Sequence, residues 1–234
     1  NLDGASFIDV DLTKIKNKSL ADADLSDTSF AYSNLSGISL AGAILESTNL
    51  YNANLSGVDF TVSDVITDGL AFIESNLSNS NFEGVNLSPK AEYSSVFKNK
   101  AYLVRGQTQS SEIYAMIKKD LFDQPVLIIS AGTQGNDLVV NYMFFNSFAR
   151  ANLENANFKN AKLWNANFYL ADLTNADLSE ADLCKAFLSE ADLSNTDLSN
   201  TDLSNANLEG AVLDNAILSN ANLNCLNHPI GLND

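Results

Sequence analysis

From Phe148 to Leu223 every fifth residue is Leu or Phe, sixteen times in succession. Two places before nearly every one stands a small residue: Ala at 151, 156, 161, 166, 171 and on to 221, with Thr at 196 and 201. Neither regular element has this period. Five residues advance an α-helix by about 500°, so successive leucines would wander around it. In a flat strand the odd spacing sends alternate leucines to opposite faces. A chain that turns a corner once per five residues points them all inward, so the pattern predicts a coil of stacked turns around an apolar axis.

An earlier array uses the same spacing on Leu20, Leu25, Phe30, Leu35, Leu40, Leu45, Leu50, Leu55, Phe60, Val65 and Leu70, with Leu2, Phe7 and Leu12 before it and Leu77, Phe82 and Leu87 after it. Its register slips twice. Leu12 to Leu20 is eight residues, which predicts an outward bulge of three near Ile15–Asn17; Leu70 to Leu77 is seven, which predicts a bulge of two around Phe72–Glu74. Residues 88–147 break the pattern. Ser110–Phe122 places Ile113, Met116, Ile117 and Leu121 at helical spacing, with Ser110 or Ser111 as cap and Pro125 just past the end. Val126–Ser130 and Leu138–Phe145 are apolar, β-branched runs joined by the Gly-rich turn AGTQGND. The chain thus divides into an N-terminal array (1–88), an insert of helix plus hairpin (89–146), a C-terminal array (147–225) and a tail (226–234) placed to cap the last coil.

Segments such as ADLTN, ADLSE, ADLSN and ANLEG resemble the pentapeptide-repeat family, whose pattern is A(D/N)Lxx, and the resemblance covers about three quarters of the chain. It implies an all-β solenoid, a right-handed quadrilateral β-helix with four pentapeptides per turn, here interrupted by a small α/β insert. No single repeat can bury its own leucine, whereas stacked coils bury a continuous column while their backbones pair with the coils above and below. With four repeats per turn, residues twenty apart stack. Asn155, Asn175, Asn195 and Asn215 then form an outer amide ladder, and Phe148 and Phe168 share an inner column with Leu188 and Leu208. Each array supplies about four coils, so at about 4.8 Å per coil the rod is close to 40 Å long.

Charge adds the first candidate site. The net charge is −16, and residues 88–147 hold six of the 13 basic and five of the 29 acidic side chains, leaving seven basic against 24 acidic in the repeats. Such a rod is repelled by nucleic acid and anionic membranes, so direct nucleic-acid binding is not expected and basic proteins are natural partners. Asp172, Asp177, Asp182, Asp192, Asp197 and Asp202 each precede an inward Leu and stack in pairs about 5 Å apart, which costs some like-charge repulsion. Within the resembled family, the Qnr and MfpA proteins are acidic rods that act on type II topoisomerases, which implies DNA mimicry as one function. The plainer reading, that Asp satisfies the repeat and keeps the rod in solution, carries more weight. This chain ends LNCLNHPIGLND in place of that subgroup's short helical dimerisation module, and its insert is far longer than that subgroup's projecting loops.

Trp164, Tyr169, Leu170 and Phe187 form the second candidate site. All four stand at outward positions where the pattern calls for polar groups, and column arithmetic gathers them at one edge of neighbouring coils. The insert re-enters the rod at Phe148 on the same side, so it is expected to fold over this patch, with a partner site as the other reading.

Catalytic chemistry is nearly absent. His228 is the sole histidine, which excludes triads and multi-histidine metal sites, and Cys225 with His228 offers at most two ligands. Gly132-Thr-Gln-Gly135 matches the GxxG of an RNA-binding KH loop without its context, so a hairpin turn is the better reading. Lys14, Lys16 and Lys18 cluster at the first bulge as loop-solvating residues. No cofactor or metal is expected. Cys184 and Cys225 stack two turns apart, too far for a disulfide, and free thiols point to the cytoplasm; a leader removed before Asn1 would move the chain to the periplasm or another lumen. No apolar run is long enough to span a membrane. The sequence thus points to a non-enzymatic interaction or scaffold protein, monomer or homodimer, that binds a protein partner through the insert and the adjacent aromatic edge; the alternative is a DNA-mimicking modulator of a type II topoisomerase.

Overall fold

The computed structural model describes residues 1–45, 48–61, 72–87 and 147–224, together with the backbone of three strands inside the insert. Each pentapeptide is one short rung and one corner. The rung residue before the inward Leu makes a parallel bridge to its counterpart one coil away, as in Asn152↔Asp172↔Asp192↔Val212. The corner is a type II turn. In the Leu153 repeat the Ala156 N–H donates to the Leu153 carbonyl at 2.9 Å, and Asn155, at the third position of the turn, has φ 57°. Such a residue recurs two places after every inward Leu from Leu153 to Leu218, mostly as Asn and once as Gly210, because these residue types tolerate the left-handed region best.

The Asp or Asn before each Leu has its own local function. Its side-chain oxygen accepts the N–H two residues on: Asp177 from Ser179 at 2.9 Å, Asn152 from Glu154 at 3.0 Å, Asn54 from Ser56 at 3.2 Å. This Asx turn satisfies a corner donor that the coils cannot reach. Where Thr replaces the inward Ala, its hydroxyl reaches the preceding coil: Thr196 donates to the Leu173 carbonyl at 2.9 Å and Thr201 to that of Leu178 at 2.7 Å. Both threonines are thereby buried without an orphaned hydroxyl.

Four faces can be numbered in chain order by their rung residues. The first carries Ser6, Ser29, Asn49, Ser147, Asn167, Phe187 and Asn207. The second runs without a gap through Asp11, Asn34, Asn54, Asn76, Asn152, Asp172, Asp192 and Val212, one residue from each of eight coils. The third includes Asp59, Asn81, Asn157, Asp177, Asp197 and Ile217, and the fourth Asp24, Ile44, Asn86, Lys162, Asp182 and Asp202.

The two arrays stack into one ladder. Asn76 bridges Asn152, Asn81 bridges Asn157 and Asn86 bridges Lys162 across the sequence gap of the insert. The insert departs after Leu87 on the fourth face and the chain returns at Ser147 on the first. Inside it, β1 (Tyr93–Phe97), β2 (Val126–Gln134) and β3 (Asp137–Phe144) form an antiparallel sheet in the order β1-β3-β2, with an irregularity in the β2–β3 register between Ile128 and Ser130. The helix expected over 110–122 lies outside the described residues, as do Val65, Leu70, Cys225, His228 and the tail.

Aromatic rings fill the axis where the chain is interrupted. Phe72, Phe148 and Phe168 stack in the first-face column at 4.9 and 4.8 Å, and Phe60, Phe82 and Phe158 in the third-face column at 4.3 and 4.7 Å. The two columns meet edge to face across the axis, Phe82 on Phe148 at 5.8 Å. These contacts add about 0.5–1.5 kcal/mol per pair beyond burial.

The second expected bulge requires correction and the first does in part, since Lys16 and Asn17 are exposed but Ile15 is not. Ile15 does not project; it is partly buried against the core, because the three extra residues form a 3-10 turn, Leu12–Lys14, followed by a second turn closed by Lys18 N–H on the Ile15 carbonyl. Phe72 is fully buried and Glu74 occupies a regular corner at φ 59°, so the bulge expected around Phe72–Glu74 is not there. An aromatic ring that can stack on Phe148 is worth more inside the column than in a loop. The Phe148–Phe168 column stands as read, and the amide ladder has a side-chain bond where Asn215 donates to Asn195 at 3.4 Å; Asn220 donates to Asn200 at the same distance on the next corner.

Phe82→Ala is expected to cost about 3–5 kcal/mol in urea denaturation, since it empties the column where the two arrays join. A loss below about 1 kcal/mol would show that the arrays are not packed on each other there.

Candidate functional site

The six candidate aspartates stack as read: Asp172 on Asp192, Asp177 on Asp197, Asp182 on Asp202. Every one accepts a corner N–H, at 2.9–3.0 Å. Yet Asn152, Asn157, Asn167 and Asn207 make the same bond at equivalent rungs. The turn therefore requires an acceptor and not a charge. The carboxylates on the second, third and fourth faces are an addition to what the fold needs.

The first face differs. None of its described rung residues carries a carboxylate. It is framed by the apolar residues singled out from the sequence, which do not share one edge as expected. Phe187, 36% exposed, stands on the face itself between Asn167 and Asn207. Trp164, half-buried, occupies the corner before the face, with the Lys185 ammonium 5.4 Å from its ring. Tyr169 and Leu170, 42% and 39% exposed, form the corner after it. The separation follows from the turn: three positions of each pentapeptide point outward, and only one of them belongs to the flat rung.

Leu170 holds its backbone at φ 56°, a conformation that costs a branched, non-Gly residue about 1 kcal/mol. Nothing in the packing requires Leu there, since its side chain is exposed.

The corner after the first face continues along the rod as a ridge of aromatic and aliphatic residues interspersed with Asp9, Glu74 and Arg150. Hydrogen bonds join it coil by coil: Asp9 N–H to Ala31, Tyr32 to Tyr51, Asn52 to Ile73, Glu74 to Ala149, Arg150 to Tyr169 and Leu170 to Ser189. Ile8 and Tyr32 are both 55% exposed on it, and Tyr32 also sits at positive φ. Tyr32 packs edge-on to Tyr51 at 5.3 Å, and the Tyr51 hydroxyl donates to Glu74 Oε2 at 2.8 Å. That hydrogen bond to a carboxylate, with partial desolvation, pushes the Tyr51 phenol up to about 12. Tyr32 and Tyr51 were missed from the sequence. Their outward positions were readable, but their alignment with Tyr169 was hidden behind the register slip and the insert.

Among the described residues no group of three His, Cys, Asp or Glu side chains is placed to hold a metal ion, and no helix is long and apolar enough to cross a membrane. Cys184 is a free thiol beside Lys185.

Asp177→Asn should leave stability unchanged or slightly raised, because the turn acceptor stays and a stacked like charge goes. Asp177→Ala should lose about 1 kcal/mol. Thermal melting of the two variants checks this, and equal losses would refute the separation of turn from charge. Leu170→Asn should raise stability by about 0.5–1 kcal/mol by relieving the backbone, read as a shift in urea midpoint.

Comparison with known proteins follows the same repeats. The family model described as pentapeptide repeats matches in eight copies over residues 23–61, 151–189 and 191–224. Curated proteins gave no match. Among solved structures, a pentapeptide repeat protein of the Arabidopsis thaliana thylakoid lumen is 42% identical over 32% of this chain, with a TM-score of 0.32, and the chain spans about half (52%) of that protein. HetL, a pentapeptide repeat protein involved in heterocyst differentiation regulation in the cyanobacterium Nostoc sp. strain PCC 7120, is 18% identical over 94% of this chain and 88% of its own, at TM-score 0.29. QnrB1, a plasmid-mediated fluoroquinolone resistance protein, is 16% identical over 92% and 82%, at TM-score 0.41. The recurring inward Leu, the Asx rung and the left-handed corner, together with the matched repeats, establish that this chain belongs to the pentapeptide-repeat protein family, whose fold is the right-handed quadrilateral β-helix.

Proposed function

We propose that the protein is a non-enzymatic interaction or scaffold protein, which presents its first face and the corners beside it to a protein partner. One observation carries this reading. The face whose described rungs lack carboxylates is also the one framed by exposed Phe187, Tyr169 and Leu170, on a rod that is acidic elsewhere. Apolar groups at outward positions contribute nothing to the column, and Leu170 holds its place at a backbone cost. A partner that buries them recovers their desolvation free energy without meeting the stacked aspartates. The chain leaves for the insert after Leu87, beside this face, and returns onto it at Ser147.

A second reading rests on the aspartates. Carboxylates stand where amides would make the same turns, and stacked acidic rungs are a substitute for a phosphate backbone in a type II topoisomerase. Gyrase supercoiling in the presence of the protein tests it, and no effect at micromolar concentration removes it.

For the leading reading, Phe187→Lys is the informative change, since a lysine already occupies an equivalent rung at Lys162 and folding is preserved. Partners captured by the wild-type chain should be held at least tenfold more weakly by Phe187→Lys and unchanged by Asp177→Asn. Equal capture by the wild type and Phe187→Lys would overturn the placement of the site.

A further inference from the structure

The second face supports a further inference that rests on its own rungs, although it shares the Tyr169–Leu170 corner with the proposed binding site. Its eight rungs form an unbroken series in the order Asp11, three asparagines (34, 54, 76), Asn152, two aspartates (172, 192) and Val212. The aspartates therefore lie toward the ends and the amides occupy the middle. We infer that this face, with the aromatic corner at its margin, is where a second copy of the chain packs, antiparallel, about a two-fold axis between the Asn76 and Asn152 rungs.

Charge selects that arrangement. With the eight coils fully overlapped and antiparallel, the first rung meets the partner's eighth, the second meets its seventh, and so on. Asp172 then faces Asn54, Asp192 faces Asn34 and Asp11 faces Val212, so no aspartate meets an aspartate and each carboxylate of the inner pairs meets an amide donor. Parallel packing would set every aspartate against its own copy. On the third face the antiparallel overlap brings Asp59 onto Asp177. The first and fourth faces are the ones where the insert returns and departs.

Both margins of the second face agree with the same axis. On the aromatic corner the two central positions are Glu74 and Arg150, so the two-fold sets each glutamate against the other copy's arginine. Glu74 Oε2 takes the Tyr51 hydroxyl, and no described donor reaches Oε1. Arg150 is exposed and makes no ion pair among the described residues. One rung further out, Tyr51 meets Tyr169 and Leu170. On the opposite margin, the lysine-bearing turn of the first coil, with Lys14 exposed, meets the last coil at Asp214.

The size of the contact sets its strength. Eight coils at about 4.8 Å and a rung about 10 Å wide give about 400 Å² per copy, and the aromatic corner raises this to about 500–600 Å². That lies at the lower end of specific interfaces, so the dimer should be reversible and form in the micromolar range.

Sedimentation velocity on the full chain, from about 1 to 200 μM, tests the inference. The wild type should pass from monomer to dimer within that range. Arg150→Glu introduces two repulsive contacts and should weaken the dimer about tenfold. Asn54→Asp keeps its turn acceptor but faces Asp172 of the other copy twice, and should weaken it comparably. Glu74→Arg alone should also fail, whereas a 1:1 mixture of Glu74→Arg and Arg150→Glu chains should dimerise like the wild type, because each pair is then opposite in sign. Phe187→Lys should leave the dimer unchanged. A chain that stays monomeric throughout, a dimer indifferent to Arg150→Glu and Asn54→Asp, a mixture that does not recover, or a dimer lost in Phe187→Lys would each overturn it.

Discussion

In the regular repeats among the described residues, one residue in five holds a left-handed backbone conformation, and the rest of the structure depends on that corner. The turn redirects the chain so that the next Leu points to the same axis, and it sets the outward residues in three distinct directions. Without it, leucines five apart could not meet, and coils could not offer N–H and C=O groups to the coils above and below. The corner imposes its own residue preference, Asn or Gly, and the rung beside it requires a side-chain acceptor, Asp or Asn. Together with an inward Leu and a small inward neighbour, these demands specify nearly the whole pentapeptide.

Because the fold's demands are so explicit, departures from them are informative. An aspartate where asparagine serves equally, a leucine or tyrosine where glycine relaxes the backbone, and a phenylalanine on a solvent-facing rung all exceed what folding requires. These departures are segregated. The rung acids lie on three faces, whereas most exposed apolar groups line the corner after the first face or stand upon that face, Val212 and Ile217 on the second and third faces being the exceptions. A rigid rod converts such segregation into separate surfaces, because the aromatic column gives its interior no alternative packing.

Much of the architecture was legible. The period-five pattern, the inward Leu and Ala, the Phe148–Phe168 column and the paired aspartates follow from local counting, since within the C-terminal array every coil has the same length. The bulge at Phe72 was misread because counting assigns extra residues to the place where the pattern resumes, whereas a ring that can stack on Phe148 is drawn into the column. Trp164, Tyr169, Leu170 and Phe187 were correctly read as outward, but counting alone did not distinguish a corner from a rung, and so gathered them on one edge. Ile15 was released to solvent by the same arithmetic, although an isoleucine gains by packing against the core.

What the sequence alone determined is the content of each repeat: which residues turn inward, which make the corner and which cap it. These are local constraints, enforced by backbone conformation and by hydrogen bonds two or three residues apart. What only the tertiary structure decided is which repeat lies over which. Successive second-face rungs are 23 residues apart at Asp11–Asn34, 20 at Asn34–Asn54, 22 at Asn54–Asn76 and 76 at Asn76–Asn152. The intervening loops have no preferred length, and register is set by the backbone bonds between coils and by rings that fit on rings. The alignment of Tyr32, Tyr51 and Tyr169 on one corner, and of Glu74 beside Arg150, exists only after that register is chosen.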